Sequence, residues 1–301
     1  MDNLGALKRD SIRVAGFYSL SDREDFQQYA ERILNCSGHF DFRLEPGQVD
    51  GRMFAHIQRA SWCRCRWCPL CQYARISKFR ARNFKGLTRL MADNPDLCWI
   101  FPTLTIRNCE IGDLRSQLRL MSAGYHRLVR TLSRRPWLRG YLRSLEVTRS
   151  ELGLAHPHYH VLLLVSSDYF QNDQFLKTED WVNLWRRSAR LDYQPYTFVR
   201  KVFSRPHQLP IKALLEVIKY SVKPADLTDD ADWLYELTDQ FHRQRSLTVG
   251  GLVSNYVSQR QLDKIESEMK TGDEQNQDGL PCSLHWNYRR EKYDFCWGAL
   301  S

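Results

Sequence analysis

The chain has 301 residues, a formal net charge of +9 at pH 7 and a sequence pI of about 9.1. This length suffices for a substantial core in one or two domains, and the basic balance favours a polyanionic partner. The sequence contains no apolar run near the roughly 18 residues that a membrane span needs, and it begins without the apolar core of a signal peptide. We therefore expect a cytoplasmic protein with no membrane partner.

The first third of the chain contains two predicted parts. Residues 1–35 form a polar lead-in with one predicted helix, over 26–34. Residues 36 to about 90 form a cysteine-rich module that ends in a basic helix over 74–91. The chain has nine cysteines, an odd number, and four of them lie within nine residues of this module, at 63, 65, 68 and 71. Both facts argue against a secreted disulfide scaffold.

The cysteine spacing predicts a structural zinc site. Cys68 and Cys71 form a C-x-x-C knuckle, the usual half of a tetrahedral zinc site. Cys63 or Cys65 can supply a third thiolate, and Cys36 can supply a fourth. Free thiols or a redox dithiol are the alternatives. The bunching disfavours the first, and the absence of a βαβ pattern around the knuckle disfavours the second.

Basic side chains cluster in two stretches, one from Arg64 to Arg89 and one from Arg127 to Arg143. Aromatic side chains are interleaved with the first stretch, namely Trp62, Trp67, Tyr73 and Phe79. Arginine and lysine that hold phosphates, beside aromatic rings that stack on unpaired bases, are typical of single-strand binding. The alternative is that these aromatics belong to the core, above all Trp67 beside the knuckle.

Beyond the module, apolar runs bounded by turn residues predict strands, and apolar residues at helical spacing predict helices. The predicted strands cover 99–106, 142–149, 158–165 and 197–203. The predicted helices cover 114–132, 181–191, 210–222 and 234–243. This order predicts an α+β fold in which helices pack on an antiparallel sheet.

Two histidines open the third predicted strand. Residues two apart on a strand point to the same face, so His158 and His160 project together while Tyr159 points the other way. Two neighbouring neutral imidazoles are ready ligands for a divalent metal. The alternative is a solvated strand face without a metal, because such a short motif occurs by chance.

A carboxylate on the preceding strand completes this candidate centre. If the two strands form a hairpin that turns near Leu152, Glu146 lies opposite His158, with Cβ atoms about 4.5–5.5 Å apart. A carboxylate shifts the preference toward oxygen-tolerant ions such as Mg²⁺ or Mn²⁺. The alternative for Glu146 is an ordinary solvated carboxylate.

The predicted helix over 210–222 carries a second set of reactive side chains. Glu216 and Tyr220 are four residues apart and share a face of that helix, Lys223 flanks the face, and Pro224 ends or bends the helix. The phenol can attack phosphorus, the carboxylate can activate water, and the ammonium can steady the phenolate or phosphate. The alternative is a surface helix with a polar pair.

The last part of the chain is predicted to be a linker followed by a tail. Residues 263–277 are polar and lack aromatics, as expected of a linker or mobile segment, and residues 286–297 form an aromatic and basic tail. The predicted domains are an N-terminal region with the zinc module, a central catalytic domain, and a linker with a tail; they cover 1–95, 96–262 and 263–301.

These motifs, in this order, resemble the single-tyrosine replication initiators of rolling-circle plasmids, within the HUH endonuclease superfamily. The matching motifs are Arg66-Trp67-Cys68-Pro69-Leu70-Cys71, Thr103-Leu104-Thr105-Ile106-Arg107-Asn108, His156-Pro157-His158-Tyr159-His160, Glu216-x3-Tyr220-x2-Lys223 and Arg245-Ser246-Leu247-Thr248-Val249-Gly250-Gly251. The resemblance spans roughly residues 36–252. It implies an HUH-type central antiparallel sheet with packed helices, preceded by the cysteine-rich zinc module.

The resemblance also implies roles for individual residues. Tyr220 nicks one DNA strand and keeps a 5′-phosphotyrosine link, and the two histidines with Glu146 hold the metal that polarises the scissile phosphate. Glu216 activates water at termination, and Lys223 assists the nucleophile. The implied partners are origin plasmid DNA in single-stranded form, with host helicase and polymerase. Cys65 and His156 are extra relative to the family pattern, and we expect His156 not to bind the metal.

Two other functions fit parts of the sequence. A single-strand transposase of the same superfamily also carries His-Pro-His-x-His, although many use paired tyrosines and only Tyr220 is suitably placed here. A non-enzymatic, zinc-stabilised DNA-binding protein explains the cysteines and the charge but leaves the histidines, Glu146 and Tyr220 without a role. A nicking assay with and without manganese separates the enzyme from the binding protein.

Overall fold

The structure is a computed structural model that describes residues 2–46, 53–170, 175–202, 209–267 and 279–297. The chain divides into two compact units. The first unit comprises Met1–Arg75, Leu227–Ala231 and Glu266–Ser301, and the second comprises Ile76–Asp226 and Asp232–Ile265. None of the helices in the described ranges is long and apolar enough to cross a membrane.

The first unit contains a four-stranded antiparallel sheet with the strand order β2-β1-β8-β9. Its strands are β1 (His39–Pro46), β2 (Met53–Ala60), β8 (Leu280–Asn287) and β9 (Lys292–Trp297). Its helices are α1 (Asp2–Ser19), α2 (Glu24–Leu34) and the beginning of α3 (Pro69–Asp93), which continues into the second unit. Helix α2 confirms the helix predicted over 26–34, and α3 confirms the helix predicted over 74–91.

Both ends of the described chain contribute to this unit in ways that the sequence analysis missed. Residues 286–297, predicted as a tail, lie in β8 and β9, and Phe40 of β1 is the register partner of Leu284 of β8. The signal was an alternation of apolar and polar residues along β8, in which the apolar residues Cys282, Leu284 and Trp286 are buried. The sequence analysis also missed α1, which lies in the polar lead-in and has buried apolar residues at helical spacing.

The second unit contains a five-stranded antiparallel sheet with the order β6-β3-β5-β4-β7. Its strands are β3 (Leu97–Thr105), β4 (Leu138–Arg149), β5 (Ala155–Ser166), β6 (Thr197–Lys201) and β7 (Leu247–Gly251). Its helices are α4 (Leu114–Leu132), α5 (Thr178–Ala189), α6 (Ile211–Val217), α7 (Pro224–Leu227), α8 (Ala231–Gln240), α9 (Val253–Tyr256) and α10 (Gln259–Ser267). Helix α7 ends, and α10 continues, within the first unit. The predicted α+β fold with an antiparallel sheet and packed helices is confirmed.

The central hairpin has the predicted register. Strands β4 and β5 are antiparallel, and Glu146 is the direct partner of His158. The turn closes through hydrogen bonds between Ser150 and Leu154, and Gly153 in the turn has a φ of +78°, a conformation that favours glycine. Because the loop is short, turn chemistry and strand alternation together determine this register locally.

The two faces of this sheet are covered by different elements. On the face that carries Glu146, a core cluster joins residues of α3 and α6 to Leu142 and Leu162 of the sheet. On the other face, Tyr159 lies against Tyr125 of α4, with the ring centroids 5.6 Å apart. The strand alternation that predicted two faces therefore separates two environments.

The helix predicted over 210–222 ends early, at Val217, so Glu216 and Tyr220 do not share a helix face as expected. Tertiary hydrogen bonds replace the helical ones: Arg80 donates to the carbonyl of Ile218 (3.1 Å), and the carbonyl of Ser221 accepts from Val147 N (2.7 Å). A longer helix would also bring the ring of Pro224 against the carbonyl of Tyr220, four residues earlier.

Other boundaries differ by a few residues. The helix predicted over 234–243 is α8, three residues earlier at each end, and the strand predicted over 197–203 ends at Lys201, with Phe203 outside the described residues. The predicted linker over 263–277 begins inside α10, because its first residues continue the helical pattern; residues 268–277 lie outside the described part of the chain.

Candidate metal centres and their surroundings

The four cysteines Cys36, Cys63, Cys68 and Cys71 come together in the first unit. Cys36 follows α2, Cys63 follows β2, and the C-x-x-C pair lies at the start of α3. The sulfur of Cys71 is 3.5 Å from that of Cys36 and 3.5 Å from that of Cys63, and all four sulfurs lie within 4.8 Å of one another. These side chains could hold a metal ion.

The spacing of the sulfurs fits the chemistry of a tetrathiolate site. A disulfide needs sulfurs about 2.05 Å apart, and all of these cysteines are free. Tetrahedral zinc with zinc–sulfur bonds of about 2.3 Å places its sulfurs about 3.8 Å apart, close to the separations found here. Cys65, the alternative ligand, is not in this group, because its thiol lies 3.8 Å from the carbonyl oxygen of Cys63.

Helix α1 supplies two polar side chains to this centre that the sequence analysis did not single out. Lys8 is fully buried and donates to the carbonyls of Leu34 (2.8 Å) and Cys36 (2.6 Å). Burial lowers the pKa of Lys8, while negative charge on the nearby cysteines acts in the opposite direction. Ser11 lies 3.6 Å from the sulfur of Cys68. A buried ammonium beside four thiolates offsets part of their charge.

Replacing Lys8 with methionine is expected to lower the free energy of unfolding by about 2 kcal/mol, because the buried carbonyl of Cys36 loses its donor and that of Leu34 keeps only Tyr288. The side chain keeps its length, so little packing is lost. Urea denaturation monitored by circular dichroism measures the change. Lys292→Met at an exposed position is the matched control, and equal stability of the two variants would contradict a structural role for the buried ammonium.

The second centre lies on the hairpin of the second unit. The Nε2 atoms of His158 and His160 lie 2.9 Å and 2.8 Å from Oε2 of Glu146. All three side chains are buried, and their ligand atoms lie within 4.8 Å of one another. Cis ligands of an octahedral ion with bonds of about 2.1 Å are about 3 Å apart, so this set could also hold a metal ion.

Neighbouring groups orient the two imidazoles. Nδ1 of His158 lies 3.1 Å from the carbonyl oxygen of His156, and Nδ1 of His160 lies 3.4 Å from the hydroxyl of Thr103. A proton held on Nδ1 of His158 by that carbonyl leaves the Nε2 lone pair for an ion. His156 itself is outside the ligand set and lies 2.6 Å from Asn108 Oδ1 through its own Nδ1.

Lys219 completes the charge balance of this centre and was missed by the sequence analysis. Its ammonium donates to Glu146 Oε2 (2.8 Å) and to Glu216 Oε1 (2.5 Å). Burial alone would raise the pKa of Glu146, but hydrogen bonds from His158, His160 and Lys219 outweigh it and hold that pKa far below its ordinary value. Burial alone would lower the pKa of Lys219, but its hydrogen bonds to Glu146 and Glu216 outweigh burial and raise that pKa above its ordinary value.

The other predicted site residues surround this centre at different depths. Glu216 is half exposed at the end of α6, with Oε1 3.9 Å from Nε2 of His160. Tyr220 is partly buried against the core of the second unit and directly precedes Ser221, which is hydrogen-bonded to the strand of Glu146. Lys223 is exposed.

Part of the predicted DNA-binding surface has a structural role. Arg75 is buried and donates to the carbonyls of Arg64, Cys65 and Arg66, so it supports the loop of the cysteine knuckle. Trp67 and Phe79 are core residues, as the alternative interpretation held. Arg82, Lys85 and Arg89 of α3 remain exposed basic side chains.

The fold and its two ligand sets define an α+β protein with two candidate metal centres. Residues 54–294 match the model of a protein family described as "Replication protein". Because the match covers most of the chain, the protein belongs to this family. The resemblance to replication initiators that the motifs indicated is confirmed.

Similar proteins carry corresponding names. A "Protein rep" from Bacillus amyloliquefaciens is 29% identical over 91% of this chain and 84% of its own length. A "Protein rep" from Streptococcus pneumoniae serotype 2 is 29% identical over 94% of this chain and 88% of its own length. A "Replication protein" from Staphylococcus aureus is 29% identical over 72% of this chain and 98% of its own length. No solved structure matches the chain.

Proposed function

We propose that this protein initiates rolling-circle replication of a plasmid by nicking and rejoining single-stranded origin DNA through a 5′-phosphotyrosine intermediate. The observation that carries the proposal is the convergence of Glu146, His158 and His160 beside the segment that contains Tyr220. A protein that only binds DNA has no need for this buried set. The family match supports replication initiation over transposition, and such a protein acts on plasmid DNA in the cytoplasm.

Each reactive group has a proposed role. The Tyr220 hydroxyl attacks the scissile phosphorus and loses its proton to solvent. The 3′-oxygen departs with the bonding electrons, takes up a proton from solvent and becomes the primer end. The two histidines and Glu146 would hold Mn²⁺ or Mg²⁺, which would supply positive charge at the phosphate when bound. Lys219 holds Glu216 at the edge of the centre, and Lys223 steadies the phenolate or phosphate. Zn²⁺ in the four-cysteine set stabilises the first unit.

The metal centre has a direct test. His160→Ala is expected to reduce metal-dependent nicking about 10³-fold, because a divalent ion supplies several kcal/mol of charge stabilisation at the phosphate. Glu146→Ala should weaken nicking as well. The measurement is the nicking rate on a single-stranded origin oligonucleotide across a manganese titration. His156→Ala is the matched control, and the proposal fails if His160→Ala nicks at the rate of that control.

Glu216 is proposed to separate termination from initiation. Initiation must leave the enzyme attached to DNA, whereas termination must release it, and the half-exposed carboxylate of Glu216 can direct water at the second cleavage. Glu216→Ala is therefore expected to form the tyrosyl adduct at nearly the normal rate but to produce concatemeric single strands in a replication assay. Normal termination by this variant would reduce Glu216 to a surface carboxylate. Glu236→Ala, at an exposed position of α8, is the control.

A further inference from the structure

A cavity lies in the second unit, on the sheet face opposite the His–Glu centre. It has a volume of about 430 Å³. Side chains alternate along β4, so Arg143 and Leu145 line this cavity while Glu146 points to the other face. Tyr159, which lies between the two histidines on β5, lines it for the same reason. Helix α4 contributes Tyr125 and its neighbours to the opposite wall.

Arg143 is the central feature of this cavity. It is only 7% exposed. Its guanidinium carbon lies 4.2 Å from the ring centroid of Tyr159 and 4.8 Å from that of Tyr125. Two aromatic rings hold the guanidinium in place by cation–π attraction. Within the described residues, its Nε has no hydrogen-bond partner and no carboxylate pairs with the group.

The buried guanidinium of Arg143 favours the binding of an anion. A buried cation that has no counter-ion is costly, and cation–π contacts offset only part of that cost. Arg243 and Arg245 line the same cavity, and Arg245 is in addition paired with Asp263 at 3.1 Å. None of the lining residues that the structure describes is acidic. The cavity is therefore strongly positive.

Tyr125 provides a second, independent indication of a missing ligand. Its hydroxyl is buried and has no hydrogen-bond partner in the described part of the chain. Buried tyrosine hydroxyls normally find a partner. An unpaired hydroxyl and an unpaired guanidinium at one cavity point to a ligand with hydrogen-bond acceptors and negative charge.

We propose that this cavity binds the phosphate group of a nucleotide, with Arg143 donating to two phosphate oxygens. The planar guanidinium matches phosphate in a bidentate geometry. The volume lies in the range that admits small ligands of mononucleotide size, and the tyrosine rings offer apolar surface to a base or sugar. The phosphate can belong to a free nucleotide or to a nucleotide unit within a single strand, and the site does not depend on the nicking reaction.

Isothermal titration of the full-length, zinc-loaded protein, without added manganese or magnesium, tests this proposal. The probes are deoxyadenosine monophosphate, inorganic phosphate, deoxyadenosine and a short single-stranded oligonucleotide. The two phosphate-bearing small molecules should bind, and deoxyadenosine should not. Arg143→Met should lower the affinity for deoxyadenosine monophosphate at least about tenfold, because hydrogen bonds from a charged donor are lost.

Two further variants keep the test decisive. Arg243 is exposed, so Arg243→Met leaves the fold intact even if Arg143→Met does not, and it should weaken binding severalfold. Arg89→Met, which removes an exposed charge on α3, is the matched control and should change nothing. Circular dichroism checks the fold of each variant.

The outcomes separate the two phosphate sources. An oligonucleotide that binds no more tightly than the mononucleotide identifies a free nucleotide as the ligand. An oligonucleotide that binds much more tightly than the mononucleotide, and that loses this higher affinity in Arg143→Met and Arg243→Met, identifies a strand of DNA as the ligand. Wild-type affinity in both variants, or no binding of any phosphate probe at millimolar concentration, overturns the proposal. Neither result bears on nicking, which is measured by the covalent adduct.

Discussion

Replacing Tyr220 with phenylalanine is expected to abolish covalent attachment of the protein to origin DNA. The substitution removes only the hydroxyl that we propose as the nucleophile, so the rate of adduct formation should fall by at least about 10³-fold. DNA binding should change little, because the ring that packs against the core of the second unit is kept. Denaturing gels of protein incubated with labelled single-stranded origin DNA and manganese measure the adduct.

The control for this experiment is Tyr196→Phe. Tyr196 is strongly exposed, and its backbone carbonyl accepts a hydrogen bond from the hydroxyl of Thr105. Loss of its hydroxyl should leave adduct formation unchanged. Normal adduct formation by Tyr220→Phe would remove Tyr220 from the chemistry and would require another nucleophile.

Replacing Cys71 with serine is expected to unfold much of the first unit. Structural zinc contributes about 10–16 kcal/mol in zinc-finger peptides, whereas whole domains are stable by only about 5–15 kcal/mol. Loss of one sulfur ligand from a buried set of four therefore removes most of the folding stability of the unit. Elemental analysis should show zinc in the wild type and little in the variant, and limited proteolysis should cut the variant near the knuckle.

Two cysteine variants make this result specific. Cys296→Ser changes an exposed thiol in the same unit and should keep both zinc and fold. Cys65→Ser should also keep zinc, because the thiol of Cys65 lies against a carbonyl and outside the ligand group. A zinc-free wild type with a complete fold would contradict the zinc assignment. If Cys65→Ser lost zinc and Cys63→Ser kept it, the ligand set would contain Cys65 in place of Cys63.

Lys219 links the two sets of reactive side chains that the sequence analysis treated separately. One ammonium contacts both Glu146 of the metal set and Glu216 of the proposed water-activating group. Without this cation, two carboxylates near one centre would repel each other. The early end of α6 makes this contact possible, because Lys219 lies beyond the helix in the bend that precedes Tyr220.

Features that depend on short stretches of chain could be predicted from the sequence. Strand alternation placed His158 and His160 on one face, and the short turn at Gly153 placed Glu146 opposite His158. The C-x-x-C spacing likewise brought Cys68 and Cys71 together at one helix end. These relations extend over a few residues, so local geometry is sufficient to predict them.

Features that join distant parts of the chain became visible in the folded structure alone. Strand β1 pairs with β8 although more than two hundred residues separate them, and Lys8 reaches the carbonyl of Cys36 from another helix. Helix α6 ends where contacts from α3 and β4 replace its own hydrogen bonds. A local pattern cannot predict such contacts, because the partner that satisfies a buried polar group or completes a sheet is chosen by the packing of the whole unit.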